Sequence, residues 1–332
     1  MDSLIHYILL YTNKGHQHTY PKASRMSSVV EPHKLIHVVT LSTDSGNATM
    51  NWVHGAKKLG YNFTLLGQGQ KWGGWSWRTK QYIAAIEKLP TNTLVLVVDT
   101  NDVLLCRGPR SLYRAYKAAG NPLLMFGGEP TCCVGKFEAT KMNGERHRAI
   151  NTIDARLPMN RWKFPNAGCI MGARDTVLNA LRRVQEEPDD QAGHLEHYLK
   201  DERYLEIDWQ HRIVGNVNRP GMLFCVTTSM ADDADSVEMG YWDKASVTNL
   251  ATEATEQGED PTVYNDSIGG VLYRNRVTGG IPCVLHFPGK NIYTYNLMGA
   301  MVYGVAFRPV QNEVPNSVGK SALIGIASLW KH

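Results

Sequence analysis

From Leu35 onward, short apolar β-branched runs alternate with stretches whose apolar residues recur every three or four positions. His37–Leu41 (HVVTL) is a run of the first kind, with the composition of a strand buried on both faces. Asn47–Leu59 spaces Met50, Val53, Ala56 and Leu59 at three-residue steps, the stripe of a helix. Tyr61–Leu66 reads as a second strand, and the glycine-rich Gly67–Gly74 as a loop. Helical spacing returns over Lys80–Leu89, with Ile83, Ile86 and Leu89 on one side and Pro90 ending it. Leu94–Val98 (LVLVV) is the strongest strand signal in the chain, and it runs directly into Asp99. Pro109 at a first helical position opens a helix through Ala119 that Gly120 closes, and Leu123–Phe126 is a further strand.

This β-α-β-α-β-α-β succession predicts an α/β, Rossmann-like fold: a mostly parallel central sheet with helices on both faces. Ligands of such sheets bind outside the carboxyl ends of the strands, so polar residues at strand ends gain weight. The second half is more mixed. A strand near Cys169–Met171, helices near Asp175–Val184 and Asp190–Lys200, and strands near Leu205–Ile207, Leu223–Val226 and Cys283–His286 fit best. Asp232–Pro261 is acidic and threonine-rich, a surface excursion, and there is no internal repeat. Polar residues with Pro21, Ser27, Ser28 and Pro32 mark a flexible leader, giving a leader over 1–34, one domain over 35–300 and a tail over 301–332.

Composition changes this picture little. The net charge of +4 comes without a dense Lys/Arg block, which argues against nucleic acid as a partner. The apolar run Leu4–Tyr11 lacks a basic region and is too short for a signal or anchor, and no other stretch approaches membrane-spanning length. The reading is a soluble protein, with the missing signal favouring the cytoplasm. Six cysteines show no CxxC pair and no zinc spacing. Free thiols are expected, Cys132 or Cys133 reaching Cys169 being the pairing that neighbouring strands would permit.

Candidate chemistry sits at five places. In VVDTND, Val97–Asp102, a buried strand ends in two carboxylates three residues apart. Asp99 and Asp102 can share one divalent cation that also grips a diphosphate and offsets its charge; the alternative is a turn with aspartate as local capper. LHFPGK, Leu285–Lys290, offers His286 as a third ligand, Gly289 for close backbone approach to a phosphate and Lys290 as a point charge, although a lone strand-end histidine is more often structural. LGQGQKWGGWSWRTK, Leu66–Lys80, carries three tryptophans suited to stacking on a base or sugar, with Arg78 and Lys80 nearby for phosphate. At least two of the three indoles are better read as core cover. FPNAGCIMG, Phe164–Gly172, combines small Ala167 and Gly168 with the donor-acceptor Asn166. PDDQ, Pro188–Gln191, opens a helix that Asp189 or Asp190 can cap, and capping is the preferred role for Asp189. No G-x-G-x-x-G follows the first strand, so nicotinamide binding loses support.

The order of these motifs resembles the glycosyltransferase domain of the procollagen lysyl hydroxylases and their glycosyltransferase relatives. VVDTNDVLL resembles that family's D-x-x-D motif, with LLGQGQKWGG before it and FGGEPTCC, FPNAGCIMGAR, DDQ, EIDWQHRIVGNV and LHFPGK after it, from about His37 to Asn291. The resemblance implies a GT-A type fold that uses a UDP-sugar and Mn2+. It implies Asp99, Asp102 and His286 as metal ligands and Thr40, Ser42, Trp72, Lys80, Asp99, Asn101, Gly289 and Lys290 as donor-binding residues. It places Asp190 beside the transferred sugar, with Glu129 and Asn166 in the same pocket. Two departures stand out: Asn101 replaces an aromatic residue before the second metal aspartate, and the histidine motif is compressed to HFPGK. His194 and Glu196 are the nearest match to an iron-hydroxylase triad, but they lie on a predicted helix, so lysyl hydroxylation is not expected.

The expected function is transfer of a hexose from UDP-glucose or UDP-galactose to a hydroxyl of a protein or glycan acceptor, such as hydroxylysine or galactosylhydroxylysine of collagen-like sequence. The rivals are a nucleotide-sugar or nucleotidyl transferase acting on a glycan or small molecule, and an inactive sugar-nucleotide-binding module. The sequence leaves the sugar, the retaining or inverting outcome and the oligomeric state open.

Overall fold

The structure, a computed structural model, describes residues 31–130, 132, 153, 162–217, 223–227, 248–249, 271–275 and 278–288. The leader up to residue 30, the acidic excursion apart from 248–249, and the tail from 301 lie outside the described residues. Twelve described strands run in chain order as β1 (Ile36–Leu41), β2 (Asn62–Leu66), β3 (Leu94–Asp99), β4 (Val103–Leu105), β5 (Leu124–Glu129), β6 (Phe164–Ala173), β7 (Glu206–Asp208), β8 (Val214–Asn216), β9 (Leu223–Thr227), β10 (Thr248–Asn249), β11 (Val271–Asn275) and β12 (Val284–His286). Five described α-helices accompany them: α1 (Asn47–Lys58), α2 (Trp75–Ile86), α3 (Pro109–Ala118), α4 (Arg174–Val184) and α5 (Asp190–Lys200).

The central sheet has the order β2-β1-β3-β6-β5-β7. Every strand but β6 runs the same way; β6 lies antiparallel to both β3 and β5. The continuous apolar character of LVLVV follows from burial on two sides. Val95 and Val97 face one core with Tyr82, Ile83 and Ile86 of α2 and the apolar sides of α4 and α5. Leu96 and Val98 face the other, with Trp52 and Ala56 of α1 and Leu112 and Tyr116 of α3. Each fully buried aliphatic or aromatic side chain contributes about 1.5–3 kcal/mol, and these two layers hold helices on both faces. The expected α/β architecture is what the chain adopts.

Two elements differ from the sequence reading. The reversed strand β6 spans ten residues and includes the whole FPNAGCIMG segment rather than a short run around Cys169–Met171. Because it runs backwards, its N-terminal half lies at the same edge as the carboxyl ends of β3 and β5, pairing Val98 with Cys169 and Glu129 with Phe164. Helix α2 starts at Trp75 and ends at Ile86 rather than covering Lys80–Leu89. Gly74, with φ of 92°, forms its N-cap, so Trp75 and Trp77 are helical residues and not loop residues. By contrast α3 closes as its sequence predicts. Gly120 takes φ of 90° while its N–H and that of Asn121 return to the carbonyls of Lys117 and Tyr116.

A smaller sheet, β4-β12-β8, is attached directly after the Asp99–Asp102 turn. A third, β10-β9-β11, involves strands from the later chain. Among the described residues no helix is long and apolar enough to cross a membrane.

Candidate active site

Strand β3 delivers Asp99 to the sheet's carboxyl edge, and the turn after it is fastened from below. Thr40 Oγ1 lies 2.7 Å from the Val98 carbonyl and 2.6 Å from Thr100 Oγ1, which in turn lies 2.9 Å from the Leu41 carbonyl. Thr40, expected at the donor, is fully buried and clasps β1 to β3. Ser42 Oγ reaches Thr49 Oγ1 at 2.9 Å and Asn101 Oδ1 at 3.3 Å, a polar cluster at the end of β1.

The third ligand arrives through strand register. β12 pairs antiparallel with β4 so that His286 opposes Val103, one residue beyond Asp102, and the Phe287 N–H donates to the Asp102 carbonyl at 2.8 Å. His286 therefore sits beside the aspartate turn on a neighbouring strand, not across a cleft from it. Ligand atoms of Asp99, Asp102 and His286 all lie within 4.8 Å of one another, and His286 Nε2 is 3.5 Å from Asp102 Oδ2. Two donors on one cation are separated by about 3–4.6 Å, so a divalent ion fits with modest contraction. Asn216 fixes the imidazole. Its amide donates to the Gly128 carbonyl at 2.7 Å, which can only accept, so its Oδ1 (2.7 Å away) accepts from His286 Nδ1–H and leaves Nε2 toward the carboxylates. A Cβ on Gly168 would lie 2.8 Å from His286 Nε2, so only glycine leaves the ring its place. Burial alone would lower the His286 pKa, but Asp102, with Asp99 and Glu129 behind it, raises it above the usual imidazole value. Burial raises Asp99 against the lowering pull of Arg78, with Asp102 adding to the rise. Asp99, Asp102 and His286 thus form a donor set of two hard oxygens and an oriented imidazole.

Beside it opens a cleft of about 370 Å³ lined by Asp99, Asp102 and His286 together with Trp75, Arg78, Glu129, Asn166, Ala167, Gly168, Asp189, Asp190, Gln191 and Pro288. Asp189 is the N-cap of α5, accepting from the Ala192 N–H at 3.1 Å, as expected. Asp190 is not the N-cap residue and faces the cleft, where Oδ2 meets Arg78 Nη2 at 2.7 Å while Oδ1 accepts from the first-turn Gln191 N–H at 3.0 Å. Arg78 Nη1 donates to Asp99 Oδ1 at 2.6 Å, so one guanidinium spans both aspartates. Gln191 donates to Glu129 Oε1 at 2.8 Å and accepts from the Ala167 N–H at 3.1 Å, tying α5 to β5 and β6. Asn166 Oδ1 accepts from the Gly168 N–H at 2.8 Å.

Six sequence candidates therefore converge: Asp99, Asp102, His286, Asp190, Glu129 and Asn166. Thr40, Ser42, Asn101, Trp72 and Lys80 are not among the lining residues. Lys80 pairs instead with Glu186 at 2.9 Å on the outer surface of the helix layer. Trp72 packs edge-on against Trp75 and Trp77, and Trp75 is the indole in the cleft wall. Gly289 and Lys290 lie outside the described residues. The sequence reading put Trp72 ahead of Trp75, gave Gln191 and Asn216 no role, and gave Arg78 no fixed place. Cys106 and Cys169 are buried free thiols, as expected, and Cys132 and Cys283 are buried too; Cys133 lies outside the described residues.

A mostly parallel sheet with a carboxylate-lined cleft at its carboxyl edge is the architecture of the α/β folds that take ligands outside their strand ends. The PLOD GT domain model matches residues 32–239, and the chain belongs to this family of glycosyltransferase domains. It is 24% identical over 207 residues to the human multifunctional procollagen lysine hydroxylase and glycosyltransferase LH3, 57% of this chain and 26% of that one. It is 24% identical over 200 residues to the Caenorhabditis elegans multifunctional procollagen lysine hydroxylase and glycosyltransferase, 54% of this chain and 25% of that one. An uncharacterized protein of Acanthamoeba polyphaga mimivirus is 25% identical over 139 residues, 39% of this chain and 28% of the other. The chain thus matches only about a quarter of the length of these curated relatives. A glycosyltransferase involved in glycosylation of the major capsid of PBCV-1 superposes with a TM-score of 0.38 at 11% identity, covering 80% of this chain and 99% of that structure.

Proposed function

We propose that the chain transfers a hexose, glucose or galactose, from its UDP conjugate to a hydroxyl of a protein-linked acceptor such as hydroxylysine or galactosylhydroxylysine. The observation that carries this reading is the convergence of Asp99, Asp102 and His286 at the head of a cleft walled by Asp190, Glu129 and Asn166. The three ligands would hold a divalent cation, Mn2+ by family resemblance, which supplies positive charge against the departing diphosphate. Trp75 provides a partly exposed ring at the cleft for a base or sugar. Asp190 and Glu129 present carboxylates to the sugar, the chemistry that orients hydroxyls or, in an inverting reaction, deprotonates the acceptor. The collagen-type acceptor is supported by the names of the relatives alone.

The test is a panel of UDP-sugars, each with and without Mn2+, incubated with collagen-like peptides bearing hydroxylysine or galactosylhydroxylysine and read as UDP release and peptide mass. The expected result is a single preferred hexose, a mass gain on one peptide and loss of turnover on chelation. UDP binding without transfer to any peptide or glycan would instead leave a sugar-nucleotide-binding module.

A further inference from the structure

We propose that Arg78 is a positioning residue that couples the Asp99–Asp102–His286 site to the cleft carboxylate of Asp190. The inference rests on the metal-assisted reading given above. Arg78 lies on the buried face of α2 among Thr79, Tyr82, Ile83 and Ile86, and is itself 5% exposed. An unpaired guanidinium there would cost several kcal/mol, so its partners decide why it is present. Those partners are two carboxylates from different elements, Asp99 at the end of β3 and Asp190 at the start of α5, at 2.6 and 2.7 Å. The Trp75 ring lies 4.4 Å from Cζ and the Tyr82 ring 5.7 Å, while Nε has no hydrogen-bond partner among the described residues. The fork is therefore oriented by its two carboxylates and by ring faces, with no third anchor on Nε.

Charge gives this arrangement a consequence. Among the residues described as lining the cleft, Asp99, Asp102, Glu129, Asp189 and Asp190 are acidic and Arg78 is the one Lys or Arg. A cation arriving at Asp99 competes with Arg78 for that carboxylate, and the pull of the guanidinium then falls on Asp190. Conversely, neutralising Asp190 leaves Arg78 to Asp99 alone, where it opposes the cation. The two effects are one coupling free energy seen from either end. A lysine at 78 would keep the charge but not the planar fork that meets each carboxylate with its own nitrogen.

The experiment measures Mn2+ binding by calorimetry without donor, in the unmodified chain and in Arg78→Gln, Arg78→Lys and Asp190→Asn, with thermal melts to show that each is folded. Release of UDP from UDP-glucose or UDP-galactose is followed in parallel. Arg78→Gln is expected to bind Mn2+ at least ~5-fold more tightly, and Asp190→Asn at least ~3-fold more weakly, although neither residue is a ligand. In Arg78→Gln kcat falls despite the tighter metal, and Arg78→Lys returns Mn2+ affinity toward the original without restoring kcat. If the unmodified chain binds Mn2+ but Arg78→Gln binds it equally or less well, the coupling is overturned and Arg78 is a buried counter-ion only. Should Arg78→Gln fail to fold, unchanged Mn2+ affinity in Asp190→Asn overturns it equally. Absence of any Mn2+ binding by the unmodified chain defeats the metal-assisted reading itself, and the coupling with it.

Discussion

An indole that lines a cleft while staying 45% exposed, as Trp75 does, leaves ring surface in water that a ligand can cover. Stacking a nucleobase on such a ring is worth about 1–3 kcal/mol. Trp75→Ala should therefore weaken UDP binding roughly tenfold or more, whereas Trp72→Ala, whose ring packs edge-on against Trp75 and Trp77, should cost under ~3-fold. Calorimetry on both variants, with circular dichroism to confirm folding, checks this; equal losses would place the base elsewhere. At this scale the carboxylates and the imidazole were legible because strand ends announce themselves. Arg78 was also legible in principle. It stands four residues before Tyr82 and eight before Ile86 on the buried stripe of α2, and a charged residue on an apolar stripe needs a partner. The indispensability of Gly168 was not legible, since it depends on where a residue from a distant strand puts its ring.

The β4-β12-β8 sheet is the element that assembles the candidate metal centre, and Asn216 is its fixed point. Partners that orient a metal-bound histidine usually account for 10–100-fold in affinity, so Asn216→Ala is expected to weaken Mn2+ binding by roughly that factor. Calorimetry reads the loss, and a thermal melt separates it from the missing hydrogen bond to Gly128. The helices were readable to within a residue where chemistry marks their ends, as in Pro109 and Gly120 of α3 or Asp189 before α5. The start of α2 was not, because two tryptophans in a glycine-rich stretch hide the helical period. Nor was the direction of β6: a strand buried on both faces has the same composition either way.

For the molecule as a whole, two of the described buried histidines make stability fall at acid pH. His194, against Phe126 and hydrogen-bonded to Tyr204, and His211, hydrogen-bonded to Asn275, both have pKa values pushed down to about 4 by burial. Between the ordinary 6.5 and about 4 the unfolded chain binds these protons and the folded one does not. Stability is then full above pH 6.5 and falls as pH drops toward 4, by about 1.4 kcal/mol per pH unit for each imidazole. Asp99 and Asp208, raised by burial, offset part of the slope at its acid end. His286, raised, acts on the other side: its contribution is present below pH 6.5 and fades as pH rises through its folded value. Urea titrations across pH 4–7 should show this slope, and His194→Gln should flatten it by about one proton. A slope unchanged in that variant would mean His194 is charged in the folded chain.

The pairing of β12 with β4 also has a bearing on how the chain is made. Asp99 and Asp102 belong to the early βα units, while His286 enters from the last described strand. The ligand set is therefore incomplete until synthesis has passed His286, however early the parallel strands assemble. A cation bound across it would act as a reversible cross-link closing a long loop, and the entropy of such closure grows only slowly with loop length. Binding of metal would then add to the hold that the pairing of β12 with β4 and β8 already has on the later chain.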